Sequence, residues 1–371
     1  MGMSTIRRLI YRDVLRSIAF VTLGFLCLFF FFDFVDELDA VGKGLTDAYR
    51  MPQALAYVLL QIPSHLYELL PIAVLIGTIF VLSNLARSSE FTILRTSGLG
   101  PWRALRMLLV LGSAFVVITA AVGDYVSPWA SRTAQLLKSQ HQGYLLSAGL
   151  TGGWLRETRE TRTFAVNMLS IEQDGSIKQP RIFEFDERGF LVSQTNAASA
   201  GIGPEGWLLK DARRQEFQTR NPDGSAHVTI TELPYYAWHS TLTADMVSVA
   251  LLRPERMKTL DLFEYIGHLE ANGQDAQRYE IEFWRKVFYP LSCLVMVVLA
   301  LPFAYLHFRQ SGIAGYVFGG VMIGISFFLL NNVFGYIGNL RNWLPWITAA
   351  APGLIYSLLS LGAFGWLVLR R

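Results

Sequence analysis

The 371-residue sequence has only two cysteines, Cys27 and Cys293, and little charge, with Asp, Glu, Lys and Arg making up 16% of its residues. Each cysteine lies within a long apolar run. That placement argues against a disulfide framework or a thiolate metal centre and for ordinary lipid-buried side chains. A net charge of +3 is too small to mark a nucleic-acid surface. The chain has no G-x-x-x-x-G-K-[ST] phosphate loop, no H-E-x-x-H zinc pair and no G-x-S-x-G nucleophile elbow. Its last three apolar segments carry essentially no ionisable residue at depth, where proton- and ion-coupled transporters bury such groups as working parts. Any driving energy must then come from outside this chain.

What the sequence has is apolar length: 52% of residues are hydrophobic and the mean hydropathy is +0.34. A helix rising 1.5 Å per residue needs roughly 20 apolar residues to cross the hydrocarbon core. Six segments qualify: Ser17 to Phe32, Leu69 to Ala86, Met107 to Gly123, Val287 to Phe308, Gln310 to Leu340 and Asn342 to Leu369. The first follows Arg7, Arg8, Arg12 and Arg16 and ends in Asp33, Phe34, Val35, Asp36, Glu37 without a small-residue cleavage site, so it reads as a retained signal anchor. Lys and Arg distribution sets orientation. The basic N-terminus, the Arg87 to Arg106 loop, the turn at Arg309 and the terminal Arg370 and Arg371 belong in the cytoplasm, which leaves Asp33 to Arg50 and Asp124 to Arg285 outside.

The expected fold class is an α-helical membrane protein with six transmembrane helices and an inserted all-β domain of jellyroll type. Residues 1–123 hold the first three spans, 124–256 the outer β domain, and 257–371 an interfacial helix and the last three spans. In the insert, turn residues gather at Gln173-Asp174-Gly175, Asp186-Glu187-Arg188-Gly189, Gly203-Pro204-Glu205-Gly206 and Asn221-Pro222-Asp223-Gly224. The alternation in Thr163 to Met168 and His227 to Ile230 predicts half-buried strands. Trp154, Phe164, Val166, Phe183, Phe185, Trp207 and Phe217 are the candidate core. An inert outer spacer fits these features equally well. From Asp261, read as a helix cap, Leu262, Ile266 and Leu269 recur at helical spacing until Asn272-Gly273 stops the helix before Trp284.

Two segments point to function. The loop from Arg87 to Gly98 reads as a short cytoplasmic helix, about 88–98, with Ser88 as cap, Glu90 in its first turn, Arg95 in its last and Gly98 then Pro101 ending it. About ten residues make a rod of roughly 15 Å, suited to a groove in a partner. A plain positive-inside loop is the competing reading. In the fifth span, Gly315, Gly319, Gly320 and Gly324 allow close helix approach, and Asn331 and Asn332 near its outer end need hydrogen-bond partners or a wet cavity.

Gly273-Gln274-Asp275-Ala276-Gln277-Arg278-Tyr279, followed by Trp284, Lys286, Phe288 and Pro290-Leu291-Ser292, resembles the LptF/LptG permeases of the lipopolysaccharide exporter, and their LptG branch in particular. Phe34-Val35-Asp36, the Ala86 to Gly98 loop and Phe334-Gly335 extend the likeness along nearly the whole chain. The resemblance implies a permease half in the Gram-negative inner membrane, with both termini cytoplasmic and a periplasmic jellyroll. It implies an LptF-like partner permease, two LptB-like ATPase subunits that bind ATP and Mg, an LptC-like anchored protein, and lipopolysaccharide as cargo. No cofactor in this chain and no nucleic acid are expected. The resemblance makes the loop after span two the ATPase-coupling helix, with Arg87, Glu90, Phe91, Leu94, Arg95 and Gly98, and makes spans one and five the lipid path, with Phe29, Phe30, Phe34, Ile325, Phe328, Asn331 and Asn332. The competing functions are the LptF-like half of the same exporter, a membrane scaffold, or a lipid-modifying enzyme. One feature departs from the pattern: the outer end of span one carries Asp33, Asp36, Glu37 and Asp39 where phosphorylated lipid A calls for Lys or Arg.

Overall fold

The computed structural model describes residues 3–42, 49–87, 101–142, 153–159, 161–171, 175–203, 206–218, 227–243, 246–247, 254–304 and 313–369. The chain divides into two compact units, one of residues 1–36, 58–130 and 277–371, the other of residues 37–57 and 131–276.

The helices are α1 (Met3–Leu38), α2 (Met51–Arg87), α3 (Pro101–Ala121), α4 (Ser127–Gln142), α5 (Thr259–Ala271), α6 (Gln277–Phe288), α7 (Ser292–Ala300), α8 (Ile313–Leu340) and α9 (Pro345–Leu369). Among the described residues six stretches are long and apolar enough to cross a membrane: Arg7–Leu38, Met51–Arg87, Trp102–Gln135, Gln277–Phe303, Ala314–Leu340 and Pro345–Trp366. The first four begin earlier than the charge-free runs and the first three also end later, because a helix satisfies its own backbone and continues past the apolar limit; the last two lie within their runs. Thus α3 passes through a π-helical turn, Val122–Val126, into α4 and stays helical to Gln142, whereas composition alone places the change to β structure at Asp124. The fourth span is built from α6, a 3₁₀ turn at Tyr289–Leu291 containing Pro290, and α7.

Span two is the centre of the membrane unit. In its most apolar stretch 83% of residues are buried, against 11% for span one and 17% for span five. It is apolar all round, as a helix enclosed on every side must be. Contact with its neighbours depends on small residues. A Cβ on Gly77 would lie 2.8 Å from the Ile18 backbone of α1, and Cβ atoms on Gly320 and Gly324 of α8 would lie 2.9 and 2.7 Å from Ile79 and Ile72 of α2. Gly319 faces open space and Gly315 is exposed, so of the four glycines singled out in α8 two pack within the chain and two do not.

In the second unit, nine antiparallel strands run from β1 (Gly153–Arg159) to β9 (His227–Trp238). The order is β1-β2-β5-β6-β8-β7-β4-β3, with β9 on the other side of β8. Strand β8 (Gly206–Gln218) organises the sheet: Arg213 to Glu216 pair with β6 (Leu191–Asn196), Gly206 to Lys210 with β7 (Ser199–Gly203), and β9 follows its whole length. Between those two stretches Asp211 takes φ +51°, and the register sets Pro234, which has no N–H to donate, opposite it.

Several expectations for this unit change. On β5 (Arg181–Phe185) the inward residues are Ile182 and Glu184, and Phe183 and Phe185 lie on the other face. Trp154 of β1 is exposed and stacks on Phe183 at 5.8 Å. Phe164, Val166 and Trp207 are in the core as expected, and Phe217 is half-buried. A buried acid displaced the aromatic pair: Glu184 is bonded by Arg162, by Ser193 Oγ at 2.6 Å and by Arg214 at 3.4 Å. His227 to Ile230 do form strand, but both faces there are exposed. Asp261 does not cap α5; Lys258 occupies that position, and Asp261 in the first turn accepts from Arg132 at 2.6 Å. The stop at Asn272-Gly273 stands, with Gly273 at φ +62°. Just beyond α5, Asn272 and Gln274 side chains accept from the Thr158 and Arg156 amides of β1, which blunts that sheet edge against further pairing.

Burial raises the Glu184 pKa, but the Ser193 and Arg162 hydrogen bonds and the Arg162 and Arg214 charges outweigh it and hold the carboxyl below its ordinary value of 4.5. A carboxyl depressed in the fold stabilises fully above its unfolded pKa, and that contribution is lost as pH falls through the folded value. In acid unfolding of the full chain followed by near-UV circular dichroism, the β unit of wild type should lose stability progressively below pH 4.5. Glu184→Gln should already be weaker at neutral pH and flatter across that acid window. Identical acid limbs would contradict the ion-pair assignment.

Candidate functional site

The membrane unit gathers polar groups in the C-terminal halves of spans one, three and five and the N-terminal halves of spans two and four. In α1, Asp33 Oδ2 lies 2.6 Å from His65 Nε2 of α2, and the Phe29 ring stacks on that imidazole at 4.8 Å. Phe30 and Phe34, one turn apart, stack at 6.1 Å. The acids at this end are therefore partly answered from within the protein. In the other unit, Glu37 is buried and accepts from Lys138 Nζ at 2.8 Å, while that ammonium also sits 4.5 Å from the Tyr57 ring centre. Asp36 and Asp39 are exposed.

Span five presents an apolar strip along its length: Phe318, Met322, Ile325, Leu329, Val333 and Tyr336 are all exposed at three- and four-residue spacing. Phe328 lies beside it. Asn331, expected to need a partner, donates to the Phe327 carbonyl at 3.0 Å, and its own carbonyl accepts from Arg285 Nη2 at 2.9 Å. Asn332 is exposed. The predicted residues of span one are half-buried, and those of span five are mostly open. Glu90, Phe91, Leu94, Arg95 and Gly98 lie outside the described residues, and Arg87 is the exposed last residue of α2.

A second cluster escaped the sequence reading because the fourth span was started at Val287, just past the charges. On α6, Glu282 and Lys286 are both buried. Lys286 Nζ donates to the Gly123 carbonyl of the π turn at 3.2 Å, and Tyr289 Oη donates to the Glu68 carbonyl of α2 at 2.6 Å. Tyr67 lies between, its ring centre 5.0 Å from that of Tyr289, and so close to Gly123 that any side chain there would collide with it. Gly335 makes similar room for the Arg285 guanidinium. The signal was available: Glu282 and Lys286 are four residues apart on a strongly amphipathic helix, the spacing of a paired helix face.

These features describe a polytopic chain with two sparsely covered helices and buried charge near their C-terminal ends. A family model described as lipopolysaccharide export system permease LptF/LptG matches residues 8–370. The chain belongs to the LptF/LptG family. It is 29% identical over 340 residues to the lipopolysaccharide export system permease protein LptG of Escherichia coli strain K12, covering 91% of this chain and 90% of that protein. To the protein of the same name from Haemophilus influenzae it is 27% identical over 372 residues, 99% of each chain. Family membership makes this chain a permease subunit for lipopolysaccharide export, and a multi-pass protein of the inner membrane.

In this family member the Lys286, Gly123 and Tyr67 contact joins spans two, three and four at one level. A π turn leaves carbonyls without their usual partners, and a buried ammonium satisfies one of them. Gly123→Ala should lower the melting temperature of the detergent-solubilised chain, by overpacking worth about 1–3 kcal/mol. Tyr67→Ala combined with it should recover most of that loss, and additive losses would show that the two residues do not share the contact.

Proposed function

We propose that this chain is the LptG-like half of a two-permease exporter that takes lipopolysaccharide from the periplasmic leaflet and passes it to a periplasmic bridge. The observation that carries this reading is the bare outer surface of spans one and five in a chain of this family. A helix wrapped on one side by its own chain and left apolar on the other needs lipid or a second protein there. An LptF-like chain would close the other side of the path. Phe29, Phe30, Phe34, Ile325 and Phe328 would meet acyl chains, and Asn331 and Asn332 the headgroup region.

Energy would come from two LptB-like ATPase subunits holding ATP and Mg, docked on residues 88–98, with both termini in the cytoplasm. An LptC-like protein would join at the gate formed by spans one and five. The nine-stranded unit would be the periplasmic jellyroll. Its pairing preference follows from its edges, because Asn272 and Gln274 block β1 while among the described residues β9 pairs only with β8. Strand addition to β9 is therefore easier than to β1.

Photo-crosslinkers at Phe30, Ile325 and Phe328 should capture lipopolysaccharide in cells, and crosslinkers at Val117 of span three or Leu358 of span six should not. Equal capture everywhere would reduce the contacts to annular lipid. Glu90→Lys should leave the chain inserted and its bare faces unchanged while weakening ATPase capture by roughly 10- to 100-fold, the worth of one charge-assisted hydrogen bond. Wild-type assembly and export in that variant would remove Glu90 from the coupling contact.

A further inference from the structure

At its N-terminal end α1 carries Arg8, Arg12 and Arg16 at four-residue intervals, so the three share one face, with Arg7 adjacent. All four are exposed. A cleft of about 810 Å³ opens between α1, α2 and α8, lined by Arg16, Phe20, Ile76, Phe80, Asn84 and Val317 among others. A second of about 810 Å³ lies beside Tyr11 and Val110 and is lined by Arg7, Arg8 and Arg12, and Arg16 lines both. In the first cleft the polar side chains are at the chain-start end of α1 and the last turns of α2, and the apolar ones begin a turn further in.

We infer that this slot is a binding site for an anionic phospholipid of the leaflet at the N-terminal end of α1, the cytoplasmic leaflet in the topology proposed above. The phosphate is held by Arg16 and Arg12, and an acyl chain runs along Phe20, Phe80 and Val317. A preference for Lys and Arg on the cytoplasmic side explains basic residues at a helix end, but not an apolar cleft opening directly beside them. Guanidinium groups match phosphate oxygens in geometry as well as charge. Among the described residues lining these clefts Asp13 is the one acid, 3.6 Å from Arg12, and it leaves the four arginines with an excess of positive charge. Among the described residues Arg7, Arg8 and Arg16 form no ion pair. The field there is net positive and disfavours the ammonium of a zwitterionic lipid. The site is distinct from the lipopolysaccharide path, since Arg16 and Phe29 are 13 residues apart on one helix, roughly 20 Å.

The test is native mass spectrometry of the full-length chain in detergent, titrated separately with phosphatidylglycerol, phosphatidylethanolamine and phosphatidylcholine. Wild type should retain phosphatidylglycerol roughly 10- to 30-fold better than either other lipid, as two juxtamembrane arginines warrant. Arg12→Gln with Arg16→Gln should abolish the preference. Val317→Trp, or Val317→Phe if the larger side chain prevents assembly, should abolish it too by filling the cleft without changing charge. Retention by the filled variant alone would mean surface attraction without a seat in the cleft and would overturn the proposal. Equal retention of all three lipids by wild type, or of phosphatidylethanolamine as well as phosphatidylglycerol, would do the same.

Discussion

The close approach of spans one and five to span two is the contact on which the rest of the membrane unit depends. In hydrocarbon, apolar side chains gain nothing by leaving lipid for one another, so helices associate by close packing and by polar contacts. Gly77 lets α1 meet α2, Gly320 and Gly324 let α8 meet it, and Tyr289 ties the fourth span to the Glu68 carbonyl. With α2 enclosed, the remaining surfaces of α1 and α8 are left uncovered by the described residues. That asymmetry comes from where small residues fall along three helices.

Charge is placed with the same economy. Ionisable groups buried wholly or partly in a membrane are costly unless paired, and Asp33, Arg285 and Lys286 each have a partner. Asp33 has His65, Arg285 has Glu282 and the Asn331 carbonyl, and Lys286 has the Gly123 carbonyl. At the acidic end of span one Asp33 lies against His65, and in the other unit Glu37 accepts from Lys138, whereas Asp36 and Asp39 are exposed.

Much of this was legible in the sequence and some was not, for identifiable reasons. Six spans follow from apolar length, because a bilayer admits only helices or closed barrels. The turn glycines at 175 and 189 and the strand read over Thr163 to Met168, observed as Arg162–Met168, follow from local backbone chemistry. Which face of β5 points inward was not legible, because alternation fixes two faces without naming the inner one, and Arg162, Ser193 and Arg214 made Glu184 the buried side. The extent of α3 and α4 was hidden because a polar helix and a polar loop have similar composition. Lys286 was missed because apolar windows start after the charges, although a charge at the end of a span can still be inside the protein.

The central claim is that this chain supplies a lipid path and no driving force of its own. Transfer of lipopolysaccharide from proteoliposomes to a soluble periplasmic acceptor measures this directly, with the chain reconstituted alone, with its partner permease, and with the ATPase subunits and ATP. The account predicts transfer only when partner permease, ATPase and ATP are all present, and none from the chain by itself. Sustained transfer by the chain alone, without nucleotide, would contradict it.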